Sequence, residues 1–214
     1  MTFSQMQSTV GKNIKRASVG TYIAQDGSVK TAPVNVARVD WSTGAPLLLI
    51  ESAATNLCPN STGDGVPWGG TSVTLNAVSA PDGSSAGGKA YNGGSGNDGI
   101  TSTNYLNPQA GTYTISVWLR GDVEQAIDFY GIWNDSTGTQ QVAQRPATIT
   151  PQWQRFVVSG LNIAAAAQSV YWQINLAPGQ TVYFWGTQIE AGGAATSYIP
   201  TNGAAASRAA DFLY

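Results

Sequence analysis

"TYTISVWL", residues 112–119, sets Tyr113, Ile115, Val117 and Leu119 against Thr112, Thr114, Ser116 and Trp118. Alternate side chains of an extended chain point to opposite faces, so this period of two places one face of the stretch against an apolar core. Similar strands are predicted at 127–133 ("IDFYGIW"), 153–159 ("WQRFVVS"), 169–176 ("SVYWQINL") and 181–190 ("TVYFWGTQIE"). Pro178-Gly179 supplies a turn between the last two. Strands at this spacing, punctuated by Gly and Pro and without a helical period of useful length, specify an all-β protein, an antiparallel β-sandwich.

The first half is less regular. Residues 21–32 read as a β-hairpin turning at Asp26-Gly27. From 59 to 100 the chain is rich in Gly, Ser, Asn and Asp, with a short strand at 71–78 between loops. No helix follows these glycines to form a phosphate cradle, and we read them as turns.

A chain of 214 residues with 42% hydrophobic content supports one sizeable core. The sandwich is assigned to 21–190. Residues 1–20, carrying Lys12, Lys15 and Arg16, are read as an attachment arm, and 191–214 as a tail whose Tyr198, Ile199, Phe212, Leu213 and Tyr214 pack back on the sandwich or on a neighbouring subunit.

A net charge of -2 provides no field to recruit nucleic acid or an anionic membrane. No leader pattern and no apolar run of membrane length occur, and the one cysteine, Cys58, is expected as a free, partly buried thiol. Folding in a reducing cytoplasm is expected. Histidine is absent. That removes the nucleophile triads and the commonest metal ligand. No cofactor and no metal are expected; "NGGSGNDG" offers only Asp98 beside Asn side chains and is read as a solvated loop.

Two apolar runs end in Ile-Glu, at Glu51 in "LLLIESAATNL" and at Glu190 in "VYFWGTQIEAGG". A carboxylate beside an apolar strand is costly unless it meets water, amides or a cation. Structural clamps from Glu51 and Glu190 to Arg208, Arg38 or loop amides are therefore expected. The competing reading makes the pair catalytic, since a glycosidase needs two carboxyl groups about 5 Å or about 6.5–9.5 Å apart; Asp128 and Asp135 are the next candidates. Seven Trp and nine Tyr also raise sugar stacking, with Trp68, Trp172 and Tyr183 as candidate glycan or subunit contacts. Gln173 alternates away from Trp172, so those two do not share a groove.

"GTYIAQDGSVKTAPVNVARVDW" with "LLLIESAATNL" at one end, and "VYFWGTQIEAGGAATSYIPTNGAAASRAAD" at the other, resemble head spike and fibre domains of tailed bacteriophages, which are similar to carbohydrate-binding jelly rolls. Where the family pattern carries Arg before "TNL" this chain has Ala54. The resemblance implies a non-enzymatic virion structural protein, a capsid decoration, head fibre or tail-fibre base. It further implies a jelly-roll body like that of a carbohydrate-binding module, a homotrimer, and partners among capsid, portal-proximal or tail proteins. The implied location is the virion surface, after synthesis in the host bacterial cytoplasm. The alternative is a glycan-binding module for host surface polysaccharide, and the remote alternative is a glycosidase.

Overall fold

A computed structural model describes residues 13–62, 64–102, 105–138, 140–163 and 167–214, and among them there is no helix. Six short strands come first: β1 (Ile14–Lys15), β2 (Gly20–Ile23), β3 (Val29–Ala32), β4 (Val39–Asp40), β5 (Leu47–Leu48) and β6 (Ala54–Asn56). The body follows with β7 (Val66–Trp68), β8 (Thr71–Val78), β9 (Gly87–Asn92), β10 (Asp98–Thr101), β11 (Tyr105–Leu106) and β12 (Gly111–Arg120). It continues through β13 (Gln125–Asn134), β14 (Gln140–Ile149), β15 (Gln154–Ile163), β16 (Ser169–Leu176) and β17 (Thr181–Ala191). Two short strands, β18 (Ala206–Arg208) and β19 (Phe212–Leu213), end the chain.

The body is an antiparallel β-sandwich of jelly-roll type. One sheet runs β14-β13-β16-β10-β7, with β11 also on β16, and the other runs β15-β12-β17-β9-β8. Their inner faces bury Phe129, Val170, Trp172, Ile174 and Leu176 against Ile115, Val117, Leu119, Val182, Phe184 and Ile189. Trp172 is fully enclosed, and its indole N–H donates to Thr187 Oγ1 at 3.0 Å. That bond satisfies the one polar atom of the ring, so the core keeps it at no desolvation cost. Gly186, at φ +71°, marks a bulge where β12 and β17 slip register. The extra residue turns Trp185 outward while returning Thr187 to the inner face.

β14 escaped the sequence reading because its polar "QQVAQRPATI" carries Pro146. It is an edge strand, where a residue without an amide proton costs no ladder bond on the open side. The 21–32 hairpin forms as β2 and β3, with Gly27 at φ +79° in its turn.

The chain ends build a third layer on the outer face of the five-stranded sheet. Trp118 and Trp185 project outward from β12 and β17 and are buried with Val29 and Tyr198, the Trp185 and Tyr198 rings lying 4.5 Å apart. β1 pairs with β19 and β6 with β18, so the segments before and after the body are joined strand to strand. Thus β12, read from its sequence as half-buried, is covered on both faces. Among the described residues, the outer face of the six-stranded sheet carries no such layer.

Truncating Trp172 empties the centre of the sandwich. Trp172→Ala is expected to lower the unfolding free energy by about 3–5 kcal/mol, whereas exposed Val142→Ala on β14 changes it by less than about 0.5 kcal/mol; urea unfolding followed by fluorescence checks both.

Candidate functional site

The charged residues singled out in the sequence fall into the layer made by the chain ends. Glu51 pairs with Arg38 at 2.8 Å and with Arg208 at 3.3 Å, and also accepts from the Ser197 amide and hydroxyl, both at 2.7 Å. Asp211, which the sequence reading passed over although it ends "SRAAD", is the second hub. It binds Arg16 at 2.9 Å, lies 3.6 Å from Arg208, and bonds Arg38. Three guanidinium groups thus surround two carboxylates, with the Arg and Asp211 side chains almost wholly buried. The surplus positive charge is met by carbonyls: Arg16 alone donates to the oxygens of Ser18, Ala32, Pro33 and Val36.

Several expectations are corrected here. Arg16 does not project from an exposed arm; it is 1% exposed and ties the N-terminal segment to Asp211, 195 positions away. Lys15 stays exposed, with its ammonium 4.6 Å from the Tyr214 ring centroid, while Lys12 lies outside the described residues. Residues 14–20, read as part of an arm, are held in the third layer by β1 and by Arg16. Glu190 makes no ion pair with Arg208: it is buried and accepts from the Thr196 amide at 3.0 Å and the Thr196 hydroxyl. Trp172 is core rather than a sugar platform. Tyr183 cannot stack on a ligand through its ring, because the Arg120 guanidinium covers it at 4.0 Å and its hydroxyl is engaged by Asp122 at 2.9 Å. Trp68 lies on a strand, β7, and is half-buried instead of projecting from a loop.

Cys58 is fully buried and donates to Asp64 at 3.3 Å; burial and the Asp64 charge push its thiol far above the usual range. Asp98 accepts from the Gly70 amide at 2.7 Å, and among the described residues no cluster of three or more His, Cys, Asp or Glu could hold a metal ion.

The open face of the six-stranded sheet brings a different set together. Register places Pro146, Asp128, Asn175, Gly99 and Trp68 in one row across β14, β13, β16, β10 and β7, and Gln144, Tyr130, Gln173, Thr101 and Val66 in the next. These are the residues that alternate away from the core, so the pattern that buries Phe129 and Trp172 also delivers this polar face. Gln173 and Asn175 therefore do share a surface with an indole, that of Trp68 rather than Trp172. Gly99 puts no side chain between Asn175 and Trp68. A Cβ there would come within 1.9 Å of the Ile174 carbonyl oxygen, so close strand contact requires glycine.

The side chains of the face are already oriented. Gln144 donates to Asp128 at 2.9 Å, and burial together with the Asp128 carboxylate, to which its hydroxyl bonds, holds Tyr130 above the usual phenol range. Gln173 donates to Asn175 at 2.8 Å, leaving the Gln173 carbonyl and the Asn175 amide nitrogen open to a ligand. Hollows occur on both sides of this amide pair. One, of about 430 Å³, is lined by Val66, Trp68, Thr101 and Gln173; the other, of about 200 Å³, by Ala126, Asp128, Pro146, Asn175 and Gln180. From β7 to β13 the face spans three interstrand spacings, roughly 14 Å. It offers an aromatic ring, amides and one carboxylate, which suits a polyhydroxylated ligand with an apolar ring face.

No family model and no curated protein matches the chain. Solved structures do. A C-terminal family 22 carbohydrate-binding module of Clostridium thermocellum Xyn10B aligns at TM-score 0.51 and 20% identity, covering 66% of this chain and 94% of that one. A xylan-binding domain of the same module family aligns at TM-score 0.50 and 21% identity over 66% and 95% of the two chains. The CBM22-1 xylan-binding domain of Paenibacillus barcinonensis Xyn10C aligns at TM-score 0.50 and 15% identity, over 66% and 94%. The fold is that of a carbohydrate-binding-module jelly roll.

Burial works to raise the Asp211 carboxyl, but the bonds from Arg16, the Glu51 amide and Arg38 outweigh it and hold the group below its usual 3.8. A lowered native value means that the unfolded chain takes up this proton first as acid is added. The contribution to stability is therefore complete above about pH 4 and is lost as pH falls through the native value. Asp211→Ala, which leaves three buried guanidinium groups short of a partner, is expected to cost about 3–5 kcal/mol at pH 7. Asp211→Asn should flatten the acid limb of the stability curve measured by thermal unfolding between pH 3 and 7.

Proposed function

We propose that the chain is a non-enzymatic glycan-binding module whose site is the outer face of the six-stranded sheet. The observation that carries this reading is the cross-strand row that sets Trp68, Asn175 and Asp128 on one uncovered face, with Gln173 and Tyr130 beside them. A pyranose ring stacks its C–H face on Trp68 above the gap at Gly99, and its hydroxyls exchange bonds with Asn175, Gln173 and Asp128. The ligand is neutral: the two rows hold the Asp128 carboxylate and no cationic side chain. The likeness to xylan-binding domains supports a neutral polysaccharide as the ligand class, at the level of fold. Glu51 and Glu190, the carboxylates a glycosidase would need, are both held by structural donors.

Affinity electrophoresis against neutral plant and bacterial polysaccharides tests the proposal. Trp68→Ala is expected to weaken retardation at least about tenfold, and Asn175→Ala by about fivefold, a loss of about 1 kcal/mol. Unchanged retardation in both variants, or a glycan array without signal, overturns it.

Attachment to a virion is the second reading, and the third layer favours it. Val34, Val36, Ile50, Phe212, Leu213 and Tyr214 are exposed there, although apolar side chains in a monomer are usually withdrawn from water when they gather. In this reading the sugar face points away from the particle and the layer made by the chain ends faces capsid, portal-proximal or tail proteins, with three copies self-associating at the virion surface. Light scattering is expected to give a mass near three times 22.3 kDa; a monomer at micromolar concentration counts against the trimer.

A further inference from the structure

The five-stranded sheet has an outer row beside the Trp118–Trp185 cluster, in which Arg120 and Lys89 are half-buried and Tyr183 is buried. Register aligns Arg120 on β12, Tyr183 on β17, Lys89 on β9 and Thr74 on β8, and Trp153, just before β15, lies at the Arg120 end. All four strand residues alternate with core positions, since Leu119, Phe184, Ala90 and Val73 face the sandwich interior. The Arg120 guanidinium sits 4.0 Å from the Tyr183 ring centroid and 5.4 Å from that of Trp153. Among the described residues it donates one long hydrogen bond, 3.4 Å, to the Gly121 carbonyl. Neither Arg120 nor Lys89 takes part in an ion pair among the described residues. Tyr91 stands two residues along β9 from Lys89, on the same face, and is 42% exposed.

This is unusual in a chain with ten cationic residues, three of which are spent in the Glu51–Asp211 cluster. The row holds two cationic side chains and no carboxylate; Asp122, just after β12, accepts from the Tyr183 hydroxyl at 2.9 Å. Cation–π contact with two rings holds the guanidinium in place while it keeps N–H groups for a ligand, and a planar carboxylate is the group that matches its fork of donors. The Cα atoms of Arg120 and Lys89 are two interstrand spacings apart, roughly 10 Å, which suits successive acidic groups of a polymer better than a single small ion.

We propose that this row is a second binding site, independent of the Trp68 face, and that it takes the carboxylates of an acidic polysaccharide of the polyuronate type. Arg120 receives one carboxylate edge-on, Lys89 another as a point charge, and Tyr91, two residues beyond Lys89 on β9, supplies an apolar flank for a ring that continues past Lys89. The two faces of the sandwich then carry ligands of different charge: neutral on one, anionic on the other.

Titration calorimetry of the full chain with polygalacturonate, and with its fully methyl-esterified form as an uncharged control, tests the site. Binding of the acid form is expected at low salt and is expected to weaken as salt is raised past 0.15 M, where the Debye length is about 8 Å. Lys89→Gln, whose side chain makes no bond in the fold, is expected to reduce affinity about five- to tenfold with an unchanged unfolding midpoint; Arg120→Gln should do more. Trp68→Ala should leave polygalacturonate binding intact, which separates this site from the neutral-glycan face. Absence of polygalacturonate binding, equal binding of the methyl ester, or unaltered affinity in Lys89→Gln overturns the proposal.

Discussion

The buried cluster of Arg16, Arg38 and Arg208 around Glu51 and Asp211 is the interaction on which the rest of the molecule depends. Charges withdrawn from water are tolerated only when each is paired and bonded, and here every guanidinium is met by a carboxylate and by backbone carbonyls. Arg16–Asp211, Arg38–Asp211 and Glu51–Arg208 join the segments before and after the body, whereas Arg38–Glu51 and Arg208–Asp211 are local to one segment. Unlike apolar contacts, which tolerate sliding, guanidinium-carboxylate pairs fix one arrangement. The cluster thus sets where the third layer sits.

That placement decides which surfaces are free. A sandwich has two outer faces, and any strand residue that alternates away from the core must find cover or water. On the five-stranded sheet, Trp118 and Trp185 find cover beneath the 21–32 hairpin and Tyr198. Beyond that cover the same sheet carries Arg120, Tyr183 and Lys89. On the six-stranded sheet no described segment folds over, and its two central outward rows combine amides, a carboxylate, a phenol and an edge indole with Thr101, Val66, Pro146 and Gly99. The asymmetry is one of cover: the outer face of the five-stranded sheet is taken up largely in joining the segments before and after the body, and the outer face of the six-stranded sheet stays open.

The aromatic residues show how the same side chain takes different parts. Trp172 is enclosed and its N–H is bonded to Thr187; Trp185 packs on Tyr198 in the second apolar cluster; Trp68 lies half-buried at a sheet edge. None of these roles follows from the indole itself. What separates them is the face of the strand and the position of that strand in the sheet.

Alternation in "TYTISVWL", "SVYWQINL" and "TVYFWG" was enough to specify strands, a sandwich and the inward direction of Ile115, Val117 and Leu119, because side-chain direction in a strand is a local property of the backbone. The absence of histidine and the low charge bounded the chemistry in the same way. Sequence also brought out Glu51 with Arg38 and Arg208 as clamp candidates, since a carboxylate after an apolar run needs a partner wherever it ends up. It did not disclose Asp211 as a hub, the burial of Arg16, or β14 with its edge proline, each of which is decided by neighbours distant in the chain. Nor could it bring Trp68 beside Gln173 and Asn175, about a hundred positions away. Cross-strand register in a jelly roll is set by closure of the whole sandwich, and only the tertiary structure decides which rows meet on an open face and which are covered by the chain's own ends.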